Sequence, residues 1–282
     1  MKRLPCEIFI MLTALCVLLA APAAQAEYIT GFEGLLGSAD GVLLTGQDGY
    51  YIPAGTTSTD FLVFTYTGNA FGLPQNPTGA AQFVGGHGPG GSTFARAQRD
   101  LSFADSDVWL LAYDFAATYL GIGASANNVG SFSMRNNAAN VNHFIHLASW
   151  VDANNPTNYN AFYLAYDAGG VQFPQPGTSP GPAWENLELN HWYRAWVRVD
   201  FVSNRFLELG IVDLETMAEA VFAPADWYLE GGSGGTTAIP DCFRFFAGGS
   251  VVGNCFAFDN IAIELQITAT VNTSWGGLKA LY

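Results

Sequence analysis

Two tryptophans and two arginines alternate along one short run of this chain, a combination that could bind a sugar. On a strand from Trp192 to Val202, period-2 alternation turns five side chains to one face: Trp192, Arg194, Trp196, Arg198 and Asp200. The opposite face is predicted to be core: Tyr193, Ala195, Val197, Val199 and Phe201. An indole offers a flat apolar surface to a pyranose ring, and arginine and carboxylate groups hydrogen-bond its hydroxyls. The first four residues of the polar face are therefore the candidate ligand contacts.

The alternative for this polar face is purely structural. Arginine side chains stack on tryptophan rings, and cross-strand pairs of this kind stabilise a sheet without any ligand. The alternation fits both a ligand platform and an internal stack, and it favours the stack. Both interpretations therefore stay open at the level of the sequence.

Two carboxylates near the ends of the chain are candidate metal ligands. Glu33 follows the opening run Ile29–Phe32, and Asp259 lies in the closing run Phe256–Glu264. If the first and last strands pair, these two side chains approach each other, and a nearby backbone carbonyl would complete an oxygen-rich site for structural calcium. The alternative is two ordinary acidic residues at strand ends.

Two of the four cysteines are candidates for a disulfide. Cys6 and Cys16 lie in the apolar N-terminal segment, which leaves Cys242 and Cys255 on either side of Gly248-Gly249. A glycine pair at this place is typical of a hairpin turn, so the sequence predicts a disulfide between adjacent strands. A metal-binding pair is the alternative, but no further cysteines or nearby histidines complete a zinc set.

Residues for catalysis are harder to find. Asp213 and Glu215 could share a strand face, but they enter a segment that no longer alternates, and His143 and His146 would point to opposite faces of a strand. No Gly-x-Ser-x-Gly nucleophile elbow occurs in the sequence. No catalytic residue is predicted.

The elements that position these residues are predicted to be strands. Short apolar runs are separated by Gly, Asn and Pro, and helical spacing is scarce. Many strands without intervening helices indicate an all-β, two-sheet sandwich, because each sheet must bury one face. Long connections such as Asn69–Gly91 are expected to line a binding edge. Residues 27–267 are predicted to form one domain.

The N-terminus predicts export. Lys2 and Arg3 precede an apolar run that ends at the small-residue motif Ala24-Gln25-Ala26, so residues 1–26 are predicted to be a cleaved signal peptide. We therefore expect a secreted protein in the periplasm, at the cell surface or outside the cell. No later run is long enough to span a membrane. Residues 268–282 form a tail, which is a frayed end, a docked turn or a sorting tag.

The charge of the chain excludes one class of partner. The chain has 24 acidic and 10 basic residues, and removal of Lys2, Arg3 and Glu7 with the signal takes its net charge from −14 to −15. A surface this acidic repels phosphate backbones and anionic lipids, so nucleic acid is not expected as a partner. Calcium and neutral glycans are compatible with it.

The chain resembles the concanavalin A-like lectin and glucanase superfamily, including its laminin-G-like relatives. The resemblance rests on Gly31–Gly34 with Leu44–Tyr50, on His191–Asp200, and on Phe258–Ile263. It implies a jelly roll of two curved antiparallel sheets, with any ligand on the concave sheet or its rim loops. The Glu-x-Asp-x-x-Glu strand of the laminarinase-type hydrolases is missing from this sequence.

The sequence therefore supports two functional hypotheses. The first is an exported, non-catalytic β-sandwich that binds glycan or cell-envelope polysaccharide, or serves as a cell-surface or matrix component. The second is a divergent polysaccharide hydrolase or lyase of the same fold. Fold alone does not select between them.

Overall fold

The computed structural model describes residues 25–79, 81–87, 94–101, 108–120, 128–152, 154–173, 179–235, 239–248 and 254–266. All of the predicted signal peptide but its last two residues, and the whole tail from residue 268, lie outside these ranges. Within them, helical structure is limited to two 3-10 turns, Pro182–Trp184 and Gly232–Gly234. None of the helices in these ranges is long and apolar enough to cross a membrane.

The first sheet contains nine strands. Eight of them follow one another in the order β15-β14-β13-β8-β17-β6-β5-β2. β1 pairs with β17 beside this path. The nine strands are β1 (Gln25–Thr30), β2 (Val42–Leu43), β5 (Leu62–Thr65), β6 (Gln82–His87), β8 (Val108–Thr118), β13 (Tyr193–Asp200), β14 (Arg205–Asp213), β15 (Glu219–Phe222) and β17 (Cys255–Gln266). All of its pairings are antiparallel.

The second sheet contains eight strands in the order β12-β11-β10-β9-β16-β7-β3. They are β3 (Tyr50–Tyr51), β4 (Ser58–Thr59), β7 (Phe94–Asp100), β9 (Asn128–Asn136), β10 (Val141–Trp150), β11 (Asn158–Tyr163), β12 (Leu187–Glu188) and β16 (Cys242–Ala247). Only the two-residue β4 pairs in parallel, with β7. The predicted architecture, an all-β sandwich of two antiparallel sheets in jelly-roll form, is confirmed.

The main core lies between the two sheets, as period-2 alternation requires. All five residues predicted to face the core from the run 192–202 belong to this cluster: Tyr193, Ala195, Val197, Val199 and Phe201. Its centre is aromatic, and Phe245 of β16 stacks on Phe258 of β17 with ring centroids 4.6 Å apart. Aromatic residues from both sheets therefore hold the sandwich together.

A second apolar cluster lies on the outer face of the first sheet. It joins Trp192, Trp196 and Phe83 of the sheet to Tyr66, Phe71 and Leu73. These last three belong to residues 66–79, which we call the covering segment. Because this segment packs on the sheet, it is part of the folded body. The expectation that the long connection after Asn69 lines an open edge is therefore wrong for its first half.

The predicted disulfide between Cys242 and Cys255 is wrong, because the two residues lie in different sheets. Cys242 of β16 pairs with Asp100 and Arg135 in the second sheet, and Cys255 of β17 pairs with residues of β6 and β8 in the first. β16 and β17 therefore do not form a hairpin of adjacent strands. Both cysteines are free and buried, and burial raises the pKa of each thiol.

Candidate functional site

The two tryptophans that were predicted to contact a ligand are buried. Trp192 is 1% exposed, and its indole N–H donates to the carbonyl of Pro74 in the covering segment at 2.8 Å. Trp196 is 5% exposed; its ring lies against Gly210, where any Cβ would stand 2.0 Å from the indole. Its N–H donates to Glu219 Oε1 at 2.9 Å. Both tryptophans are therefore interior residues, as the structural alternative requires, and the rings that pack against Trp192 are those of Tyr66 and Phe83.

The two arginines of the same strand face are held by carboxylates. Arg194 is 2% exposed and makes a bidentate ion pair with Asp114, in which Nη2 donates to Oδ2 at 2.7 Å. Arg198 is about one-third exposed and donates from Nη1 to Glu208 Oε2 at 3.2 Å. Of the four predicted contacts, only Arg198 reaches solvent to an appreciable degree. The structure thus does not assemble these residues into an open platform.

Arg194 belongs to a buried cluster of charges that spans three neighbouring strands. Asp114 of β8 is in register with both Arg194 of β13 and Asp259 of β17, and both aspartates are fully buried. Asn76 of the covering segment donates from Nδ2 to Asp114 at 2.7 Å and to Asp259 at 3.1 Å. The cluster therefore contains one guanidinium and two carboxyl groups, of which Asp114 pairs with Arg194. Burial, reinforced by the negative charge of Asp114, raises the pKa of Asp259 well above its ordinary value.

The calcium site expected at Glu33 and Asp259 does not fit the residues present. Asp259 accepts hydrogen bonds on Oδ2 from the Tyr66 hydroxyl at 2.7 Å and from Asn76, and on Oδ1 from the Asn260 amide at 2.8 Å. Glu33 accepts two backbone N–H groups, at 2.8 and 3.2 Å. Calcium requires oxygen acceptors that face it, whereas donors occupy both oxygens of Asp259 and one oxygen of Glu33. The described residues contain no group of three or more His, Cys, Asp or Glu side chains that could hold a metal.

A polar surface lies on the outer face of the second sheet. Seven polar residues of four adjacent strands line a cavity of about 230 Å³ there: Arg96, Asn128, Ser131, Ser133, Arg135, Asn142 and Arg244. We call these seven residues the arginine face. Ile145, Leu147 and Leu164 form an apolar side of the same cavity. The register brings the polar residues together, because Arg244 of β16 is opposite Ser133 of β9.

Each arginine of this face is fixed by uncharged partners. Arg244 donates to Gln98 Oε1 from Nε at 2.9 Å and from Nη2 at 2.5 Å. Arg135 donates to the side-chain oxygens of three asparagines, at 3.2, 2.9 and 2.6 Å: Asn137, Asn142 and Asn140. Arg96 lies between the rings of Phe94 and Phe246, at 5.4 and 5.3 Å from their centroids. Burial and the positive charge of Arg135 lower the pKa of Arg244 to about 10.

Sequence reasoning missed the arginine face although its signal was present. Polar and apolar residues alternate in Ser131–Arg135, and Arg244 stands between Phe243 and Phe245, patterns that are typical of strands. What the sequence does not contain is the strand order, which places β9, β16 and β7 side by side. Three arginines separated by up to 148 residues therefore become neighbours only in the fold.

Comparison with known proteins concerns the fold alone. No protein-family model matches the chain, and no curated protein matches its sequence significantly. Among solved structures, a carbohydrate esterase from the Shiga toxin-encoding bacteriophage phi24B aligns with a TM-score of 0.42 and 13% identity, over 68% of this chain and 85% of that one.

Two further solved structures align over most of their own length. A Bacillus licheniformis β-glucanase gives a TM-score of 0.39 and 11% identity, over 86% of this chain and 99% of that one. The exoplasmic/lumenal domain of VIP36, in its Ca²⁺/Man3GlcNAc-bound form, gives a TM-score of 0.40 and 11% identity, over 69% of this chain and 83% of that one. These likenesses concern the general arrangement of strands.

Proposed function

We propose that this chain is an exported protein that binds a polysaccharide on the outer face of its second sheet. The observation that carries the proposal is the cavity of about 230 Å³, where the arginine face lies beside the apolar side of Ile145, Leu147 and Leu164. Sugars present hydroxyls to hydrogen-bonding groups and C–H faces to apolar surface, and this cavity offers both. Export is proposed from the N-terminal signal pattern.

Binding is proposed in preference to cleavage because of the chemistry of the cavity. Glycoside hydrolysis ordinarily uses a pair of carboxyl groups on either side of the scissile bond. The residues that line the cavity, all within the described ranges, include arginine, serine, asparagine and apolar side chains and no carboxyl group. Assays for reducing sugar and for unsaturated products on the polysaccharides that bind would detect cleavage directly.

A bulky substitution in the cavity tests the proposal. Ile145→Trp should fill the cavity and abolish retention of the protein on immobilised polysaccharides, whereas Val221→Trp should bind like the native protein. Val221 is 53% exposed and lies on β15, in the other sheet. Both variants should melt within a few degrees of the native protein. Equal binding by the two variants, or no binding by the native protein to any plant, algal or bacterial polysaccharide, would overturn the proposal.

A further inference from the structure

The arginine face concentrates positive charge in a strongly acidic protein. Three of the ten basic residues of the chain lie on this one face, although the chain carries 24 acidic residues that could neutralise them. Of the four other arginines in the described ranges, three pair with carboxylates, Arg99 with Asp48, Arg194 with Asp114 and Arg198 with Glu208, and Arg205 donates to the carbonyl of Ala225. Among the described residues, no ion pair involves Arg96, Arg135 or Arg244. This uncompensated charge requires an explanation, because like charges repel at close range.

The three arginines are also held in place before any ligand arrives. Gln98, which orients Arg244, is 1% exposed and donates to the hydroxyl of Tyr51 at 2.6 Å. Arg135 is 8% exposed and anchored by three asparagines. Arg96 donates from Nη1 to Ser58 at 2.7 Å and is enclosed by two phenylalanine rings. Such anchoring lowers the entropy lost on binding and is typical of arginines that receive an anion.

The spacing of the arginines favours a ligand with repeated charges. Arg96, Arg244 and Arg135 come from three adjacent strands and lie on a diagonal, because Arg96 is opposite Phe246 and Arg135 is opposite Cys242. The outer two are therefore separated by two strand spacings of about 4.8 Å each and also by four residues along β16. One small anion does not reach across this distance, but acidic groups on successive sugars of a chain do. Each guanidinium forms strong, charge-assisted hydrogen bonds to a carboxylate or a sulfate.

We propose, on the basis of the function proposed above, that the ligand of the arginine face is a polyanionic polysaccharide that carries carboxylate or sulfate groups. A neutral glycan would leave the three positive charges without a counter-ion. The net charge of −14 repels such a polymer from the rest of the surface, so the arginine face also selects where the polymer binds. The interaction weakens with salt, because ions screen charges beyond about 10 Å at 0.1 M.

Paired probes that differ only in charge test this inference. The native protein should bind polygalacturonate about tenfold more tightly than its methyl-esterified form, or dextran sulfate about tenfold more tightly than dextran, as one charge-assisted hydrogen bond predicts. The pair that responds identifies the anionic group as carboxylate or sulfate. Binding should weaken as the NaCl concentration is raised from about 50 to about 300 mM, because dissolved ions screen the charges.

Single arginine variants show whether the arginine face is responsible. Arg244→Gln and Arg135→Gln should each weaken binding of the anionic probe about tenfold, whereas Arg205→Gln, on β14 of the other sheet, should not. Equal losses in all three variants would mean non-specific attraction and overturn the inference. Equal affinity for neutral and anionic probes, still abolished by Ile145→Trp, would overturn the inference but leave polysaccharide binding intact. Failure of every probe to bind would overturn both.

Discussion

The arginines of this chain play different roles that depend on the residues around them. Arg194 and Arg198 lie on the same face of one strand, yet the first is buried in an ion pair and the second is partly open to solvent. Arg244 has neither arrangement, since an uncharged glutamine orients it. The sequence pattern of arginine alternating with apolar residues is the same in all three cases. Burial separates Arg194 from Arg198, and the uncharged partner separates Arg244 from both.

Removal of the buried arginine should therefore cost far more stability than removal of its exposed neighbour. Arg194→Met leaves Asp114 as a fully buried carboxylate without its ion pair, which we expect to lower the free energy of unfolding by about 3–5 kcal/mol. Arg198→Met should change it by no more than about 1 kcal/mol. Urea denaturation of both variants measures the difference. Similar losses would contradict the assignment of Arg194 as a structural residue.

At the scale of elements, the covering segment is the feature that the sequence did not reveal. Alternation along the run 192–202 correctly predicted which residues face the core and which face outward. It could not predict that residues 66–79 would pack over the outward side, because that contact joins residues more than 100 positions apart, such as Pro74 and Trp192. A polar sheet face with tryptophans therefore resembled an open platform and proved to be an interior surface.

The covering segment should make stability depend on pH through Asp259, which accepts hydrogen bonds from Tyr66 and Asn76. Its raised pKa means that the folded protein retains a proton that the unfolded chain releases above about pH 4. The free energy of unfolding contributed by Asp259 must therefore fall as pH rises from that value. Asp259→Asn has no such proton to lose. Measured by urea denaturation, the free energy of unfolding of the native protein relative to this variant should decline as the pH rises above about 4. A constant or rising difference would refute the role of Asp259.

At the scale of the whole molecule, the sequence predicted the architecture and failed on how the two sheets are connected. Short alternating runs that are separated by Gly, Asn and Pro were enough to predict a two-sheet sandwich. The disulfide failed because adjacency in sequence was taken for adjacency in a sheet, whereas β16 and β17 face each other across the core. β16 and β17, which the disulfide was expected to link, are instead held together by packing between the sheets. The stack of Phe245 on Phe258 is part of that packing.

Two neighbouring phenylalanines on β16 test this account of the sandwich. Phe245 is fully buried between the sheets, and its ring lies within 6.0 Å of those of Phe61, Phe132 and Phe258. Phe245→Ala should lower the free energy of unfolding by about 3–5 kcal/mol, because it removes a large side chain from a packed core. Phe246 points to the opposite side, where it is half-buried against Phe94 and Arg96.

Phe246→Ala is therefore the matched control, with the same chemical change one residue away. Its effect on the free energy of unfolding should be less than half that of Phe245→Ala, since less apolar surface returns to water. Its effect on polysaccharide binding should be the larger of the two, because Phe246 lines the cavity and encloses Arg96. Denaturation and binding measured on the same two variants thus separate the interior of the sandwich from its outer face. The reverse order of either effect would show that the faces of β16 are wrongly assigned.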